Sequence, residues 1–288
     1  MDRIRMITGF GPILDEADAF LLDQFGTLHD GAVLYPGVAE AMAALRAAGK
    51  RLIILSNSGK RSGPNVARLS RIGLPPDLYD GFLSSGEVAW RLLAAAAHPA
   101  LAGARRCLVL SRGVEAEALA GLDLDRTEDA AEADFVLLLG SEADRIGLDA
   151  YRARLAPAAQ RGILCLCGNP DRAMVLADGG VAPAAGRIAE LYAEMGGPVL
   201  WIGKPGAAIY EAAFAMLQPL LGGAVERARV WAVGDSLEHD VAGAAAQGCR
   251  SLLVTTGLMA DWTEAALAEE VLRWGAVPDA MMPAFAIA

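Results

Sequence analysis

The chain has 288 residues, 54% of them hydrophobic, which is enough apolar side chain for more than one core. A formal charge of −10 and a pI near 4.8 argue against a general binder of nucleic acid or anionic membrane, since both would be repelled over a Debye length. A small anionic substrate stays open where local cations or a metal meet it. No long apolar stretch follows the N-terminal residues and no later run is long enough to span a bilayer, so the sequence reads as cytoplasmic, with no signal peptide and no membrane.

Apolar runs of strand length recur along the chain at 19–22, 52–55, 107–110, 135–139, 163–167, 199–202, 230–233 and 252–254, separated by alanine-rich helical patterns. Continuous rather than alternating apolarity predicts parallel strands covered on both faces, hence an α/β fold with a doubly wound parallel sheet. Between the first two runs, Val38, Met42 and Leu45 recur at helical spacing, with Pro36 before them and Gly49 after. Ile209, Ala213, Met216 and Leu217 make a second amphipathic stripe between the runs at 199–202 and 230–233. The run at 163–167 holds Cys165 and Cys167, which alternation places on one buried face; four cysteines in a chain of this length make no disulfide framework. Unusual polar chemistry follows the strands at 19–22, 52–55, 199–202 and 230–233, whereas the middle strands end in less charged sequence. That contrast predicts a core of 1–83 and 186–288 with an inserted second domain at 84–185.

Four segments carry the chemistry. In Leu22-Asp23-Gln24-Phe25-Gly26-Thr27-Leu28 an acid follows a strand and a glycine permits a sharp turn, which aims Asp23 into the crevice at the strand ends where open α/β sheets bind ligands. Ser56-Asn57-Ser58-Gly59 supplies hydroxyl and amide donors suited to phosphate oxygens, and is equally ordinary turn chemistry. In Gly203-Lys204-Pro205-Gly206 a cation lies between a strand and a helix start, with Pro205 expected at an early helical position. Held there, Lys204 lowers the repulsion between a carboxylate nucleophile and a phosphate. Gly234-Asp235-Ser236-Leu237-Glu238-His239-Asp240 places one acid at a strand end and a second five residues later. Mg²⁺ takes a few carboxylate oxygens and keeps water and phosphate as its other ligands, so Asp23 and Asp235 suit binding it directly and Asp240 suits orienting Asp235 or bound water. His239 is the wrong donor type for this ion.

Together, Asp23-x-x-Gly26-Thr27, Ser56-Asn57, Gly203-Lys204-Pro205 and Gly234-Asp235-x-x-x-x-Asp240 resemble the four ordered motifs of haloacid dehalogenase-like hydrolases. The long interval between the second and third motifs looks like a class II cap. Within it, Gly168-Asn169-Pro170-Asp171 and Gly186-Arg187-Ile188-Ala189 are similar to the class IIA, NagD-like sugar and nucleotide phosphatases. The resemblance implies that Asp23 attacks phosphorus to form an aspartyl-phosphate, that Ser56, Asn57 and Lys204 hold the phosphate, and that Asp23, the backbone carbonyl of Phe25 and Asp235 bind Mg²⁺, with Asp240 behind them. It implies a small phosphorylated substrate, cap closure before chemistry, and room for a homodimer.

One position departs from the pattern. The phosphatases of the family carry a second aspartate two residues after the nucleophile, which protonates the leaving oxygen and later activates water; here that residue is Phe25. General acid–base catalysis is worth about 10²–10⁴-fold, so alkyl phosphates should turn over slowly unless His29 or a cap residue such as Asp171 substitutes. An aromatic at this position is also a feature of the haloacid dehalogenases, whose halide needs no proton. Those enzymes place their cap before the second motif and do not need the metal-binding acid that Asp235 resembles. A noncatalytic protein that binds a phosphorylated metabolite is the remaining alternative, although binding alone needs no nucleophile.

Overall fold

The computed structural model describes residues 4–113, 115–176 and 179–287, with the side chains of 115 and 116 left aside. Its chain divides into two units, one of Met1–Ser56, Gly63–Leu83 and Lys204–Ala288, the other of Asn57–Ser62 and Ser84–Gly203.

The apolar runs of the first unit enter a seven-stranded sheet ordered Arg5–Met6, Ala280–Met282, Arg250–Val254, Val230–Gly234, Ala19–Leu22, Arg51–Ser56 and Gly81–Ser84. The three central strands run parallel, with Leu22 opposite both Val233 and Ile54. Their C-terminal ends therefore stand side by side. Side chains alternate between two cores, which is why the runs are apolar without a break. Phe20, Leu22, Ile54, Val233, Leu252 and Val254 enter one cluster, while Leu253 and Met281 enter the other. Each such Leu, Ile or Phe contributes roughly 1.5–3 kcal/mol relative to exposure. This is a doubly wound parallel α/β sheet. The helix Val38–Ala47 buries Val38, Ala41, Met42 and Leu45, the predicted stripe with Ala41 added, and Gly49 turns the chain afterwards at φ +77°. The second predicted stripe lies on Ala207–Leu221, where Ile209, Ala213 and Leu217 are buried and Met216 is half-buried.

Two expectations need correction here. Gly206 is the N-cap of the helix Ala207–Leu221, so Pro205 precedes the cap rather than occupying the first turn; the Lys204–Pro205 peptide is cis. The run at 199–202 was expected in the core sheet, yet Val199–Trp201 pairs with Cys165–Cys167 in the second unit.

The second unit has its own five-stranded sheet, ordered Val199–Trp201, Leu164–Cys167, Phe135–Leu138, Arg106–Leu110 and Asp125–Thr127, all parallel. A separate hairpin pairs Ala173–Val175 with Val181–Pro183. Ile188, Leu191 and Tyr192 of the helix Ala185–Glu194 pack with Cys165 and Cys167 in this unit's core, both thiols on one side as alternation requires. Pairing and packing thus carry 186–203 into the second unit, and 57–62 as well, so the boundary expected at 185/186 falls at 203/204. All four cysteines are free and buried. No described helix is long and apolar enough to cross a membrane.

Candidate active site

Asp23 leaves the sheet at its centre. Its backbone N–H donates to the Val233 carbonyl at 2.8 Å, which fixes the residue between the ends of the two neighbouring strands. The chain then closes a tight turn: Leu28 and His29 N–H donate to the Gln24 carbonyl, and Gly26 N–H donates to the His29 carbonyl. Gly26 adopts φ +78°, and a Cβ there would overlap the Asp235 carboxylate. The glycine is required twice, by its conformation and by the acid packed against it.

Asp235 follows the adjacent strand Val230–Gly234, and its Oδ2 accepts from Leu258 N–H at 2.7 Å. Gly257 lies against the same carboxylate and the Gly26 backbone, and the Thr256 hydroxyl donates to the Gly26 carbonyl. The segment 256–258 therefore ties the nucleophile's turn to Asp235. Ser236 caps the short helix Leu237–Ala242 by accepting from His239 N–H at 3.1 Å. On that helix Asp240 is occupied through both oxygens, Oδ1 accepting from Lys204 Nζ at 2.6 Å and Oδ2 from Ser236 N–H at 3.2 Å.

Lys204 also donates to Asp23 Oδ1 at 2.6 Å. Its ammonium is buried, whereas the Asp23 side chain keeps 14% of its surface exposed. Burial works against the charge on Lys204, but Asp23 and Asp240 outweigh it and hold the lysine protonated. Burial, followed by the neighbouring carboxylates, raises the pKa of both Asp23 and Asp235 above the usual carboxylate range. Asp23, Asp235 and Asp240 offer oxygens all within 4.8 Å of one another. Ionised together, three carboxylates against one ammonium would leave an excess negative charge, which a divalent cation would neutralise. An all-oxygen donor set suits a hard ion, so the residues fit such a metal.

Asp23, Lys204, Asp235 and Asp240 are thus brought together as expected. Ser56 ends the strand on the other side of Asp23, and its Oγ accepts from the Gln24 side-chain amide. Asn57 belongs to the second unit, where its Nδ2 donates to Asp171 Oδ1 at 2.9 Å, and Asp171 N–H in turn donates to Asn169 Oδ1. Phe25 is 45% exposed, its ring edge-to-face with the His29 imidazole at 4.5 Å and under the Arg68 guanidinium at 4.3 Å. His29 is fully buried; burial first and Arg68 second lower its pKa to about 4, and its Nδ1 accepts from Gly31 N–H. It is a neutral support beneath Phe25, poorly placed as the substitute acid. Sequence reasoning missed Gln24, Arg68 and 256–258. Gln24 stood beside the nucleophile as the available signal, whereas Arg68 is 44 residues from its partner and gave none.

A parallel sheet whose central strand ends display a paired aspartate and lysine with two further acids defines a hydrolase of the haloacid dehalogenase-like kind. Residues 20–125 match the family model of haloacid dehalogenase-like hydrolases, and residues 201–281 match a second model, HAD-hydrolase-like. Chronophin of Bos taurus is 30% identical over 260 residues, covering 85% of this chain and 83% of that protein. A solved hydrolase of the haloacid dehalogenase-like family from Brucella suis 1330 superposes with a TM-score of 0.81 at 28% identity, over 97% of this chain and 99% of the other. The glycerol phosphate phosphatase of Mycobacterium tuberculosis in complex with magnesium is 26% identical with a TM-score of 0.65, over 85% and 70% of the two chains. The chain belongs to the haloacid dehalogenase-like hydrolases, in their class IIA branch of NagD-like phosphatases.

Proposed function

We propose that the protein is a Mg²⁺-dependent phosphatase of small phosphorylated metabolites that works through an aspartyl-phosphate on Asp23. The observation that carries this reading is the Lys204–Asp23 ion pair at 2.6 Å with Asp235 and Asp240 converging on it. Simple phosphate binding gives no reason to set a carboxylate among like charges, where its own burial is unfavourable. The naming of one relative as a glycerol phosphate phosphatase supports a small polyol or sugar phosphate as the substrate class.

In the first step an oxygen of Asp23 attacks phosphorus and the bond to the leaving oxygen breaks, that oxygen departing with the electron pair. Water then attacks the same phosphorus, the bond to Asp23 breaks, and inorganic phosphate is released with the carboxylate restored. Lys204 holds Asp23 and draws charge from the phosphoryl oxygens, while Asp240 fixes Lys204 and the Ser236 N–H. Ser56 offers its hydroxyl to the phosphate. Asp23, the Phe25 carbonyl and Asp235 would hold a divalent cation, which would neutralise part of the charge on the nucleophile and phosphate. Phe25 has no proton to give and His29 is neutral and buried, so the leaving oxygen departs without assistance from this turn. Esters with acidic leaving groups are therefore the favoured substrates.

The test is hydrolysis of 4-nitrophenyl phosphate with Mg²⁺ present and absent, in the native protein and in Asp23→Asn. Metal-dependent turnover abolished by the substitution is expected. Equal turnover in the two proteins contradicts the assignment, and phosphate binding without turnover in the native protein makes it a binding protein instead.

A further inference from the structure

Ser56 lies in a chain of buried and half-buried hydrogen bonds whose direction follows from chemistry. Arg68 Nη2 lies 3.2 Å from Gln24 Oε1, and a guanidinium has donors only, so that atom of the amide must be the oxygen. His29 lies beside this contact: its Nδ1 accepts from Gly31 N–H at 2.9 Å, and its Nε2 is 3.2 Å from the same Arg68 Nη2 and 3.5 Å from Gln24 Oε1. With the Arg68 donor on one end of the amide, its NH₂ group is left to face Ser56. Gln24 is 1% exposed, so water does not compete for these contacts. The amide consequently donates to Ser56 Oγ. In that bond the serine oxygen is the acceptor, and its own proton is directed elsewhere.

We propose that Gln24, locked by Arg68, is a positioning residue that sets Ser56 as a hydroxyl donor toward the substrate's phosphoryl oxygen. The relay runs from a cation through an amide to a hydroxyl, each donor polarising the next, and ends where negative charge is to be held. It rests on the phosphatase reading above, and it assigns Gln24 and Arg68 a part in phosphate affinity although neither touches substrate.

Gln24→Glu is the informative variant because it keeps size and packing and gains an ion pair with Arg68. A carboxylate only accepts, so Ser56 would have to turn its proton onto it and away from phosphate. The assay is 4-nitrophenyl phosphate hydrolysis with Mg²⁺, with inhibition by inorganic phosphate as a measure of binding. The expected result is a rise in KM and in the phosphate inhibition constant of about tenfold or more, as for a lost hydrogen bond to a charged group, with kcat changed less. The thermal midpoint should stay near that of the native protein. Ser56→Ala should produce a similar rise, and adding Gln24→Glu to it should change nothing further. Should Gln24→Glu fail to fold, Arg68→Met, which frees the amide to flip, should raise the same two constants, and Arg68→Lys should keep them near the native values. An active native enzyme with unaltered constants in Gln24→Glu, or additive effects in the double variant, overturns the proposal while leaving the phosphatase reading intact. A native protein that neither hydrolyses the ester nor binds phosphate overturns both.

Discussion

Replacing Phe25 with aspartate should restore proton transfer to the leaving group, but less completely than the bare motif would suggest. The phenyl ring now lies 4.3 Å from the Arg68 guanidinium, so a carboxylate at this position would stand beside a cation. At roughly 5 Å and an effective dielectric constant near 20, the attraction is of order 3 kcal/mol before solvent screening at this half-exposed position reduces it. An arginine so placed lowers a carboxyl pKa by about 1–3 units. The new acid would therefore be mostly ionised at neutral pH, and the gain should fall near the lower end of the 10²–10⁴-fold that general acid catalysis supplies, about 10². Turnover of glycerol phosphate and of 4-nitrophenyl phosphate would be compared in the native protein, Phe25→Asp and Phe25→Asn. The alkyl ester should gain about 10²-fold in Phe25→Asp, while the aryl ester, whose leaving group scarcely needs a proton, should change only a few-fold. Phe25→Asn controls for loss of the ring and should raise neither. Equal factors for both esters, or an asparagine variant as active as the aspartate one, would refute the claim that the missing proton donor limits this enzyme.

The raised pKa values of Asp23 and Asp235 make a prediction about metal and pH. In the metal-free protein these carboxyls keep protons to higher pH than the unfolded chain does, so their contribution to stability declines as pH rises from the usual carboxylate range through neutrality. Mg²⁺ fixed at about a hundred times its Kd at pH 8 should return about 2.7 kcal/mol there, and the same concentration should return less near pH 6, where the carboxyls hold protons; a gain that does not grow with pH at fixed Mg²⁺ contradicts this. Gly26→Ala would force a side chain into φ +78° and onto Asp235, and should lower stability by about 1–3 kcal/mol and abolish turnover, as calorimetry and kinetics would show. The cysteine thiols are buried and burial raises their pKa, so a disulfide-exchange reagent should label none in the native protein and four after denaturation; ready labelling of the native protein would place Cys165 and Cys167 outside the core described.

What was legible in the sequence divides along a physical line. Asp23 and Asp235 could be placed together because each follows a continuous apolar run and parallel strands of a doubly wound sheet end on the same side, and Asp240 joins them from the helix that opens directly after Asp235. Lys204 could be joined to them because its charge has a reason to be there. Pairing partners are a different matter, since an apolar run records that a strand is buried but not which strand it lies beside. The run at 199–202 therefore went to the wrong sheet, although its successor Lys204 was rightly matched to Asp23. Asn57 was read with Ser56 because the two are adjacent, yet adjacent residues can serve different units, and its amide is engaged by Asp171.

The departure at Phe25 shows the same division within the site itself. Its identity was readable from the motif, and so was the loss of a proton donor. Its surroundings were not, because they depend on contacts across 39 and 44 residues that no local pattern announces. Those surroundings alter the chemistry more than the substitution alone does. His29, the nearest candidate to replace the lost acid, is held neutral by burial and by the same Arg68 that covers Phe25. Arg68 also orients the amide that faces Ser56. One half-buried cation thus connects the position that lost its acid to the position expected to bind phosphate. Restoring the aspartate without regard to Arg68 would set two demands on that cation, the ion pair with the new carboxylate and the hold on Gln24, and meeting the first would weaken the second. A Phe25→Asp enzyme that gains turnover on alkyl esters should therefore also show a higher KM, and a variant that gained the one without the other would show that the two positions are independent.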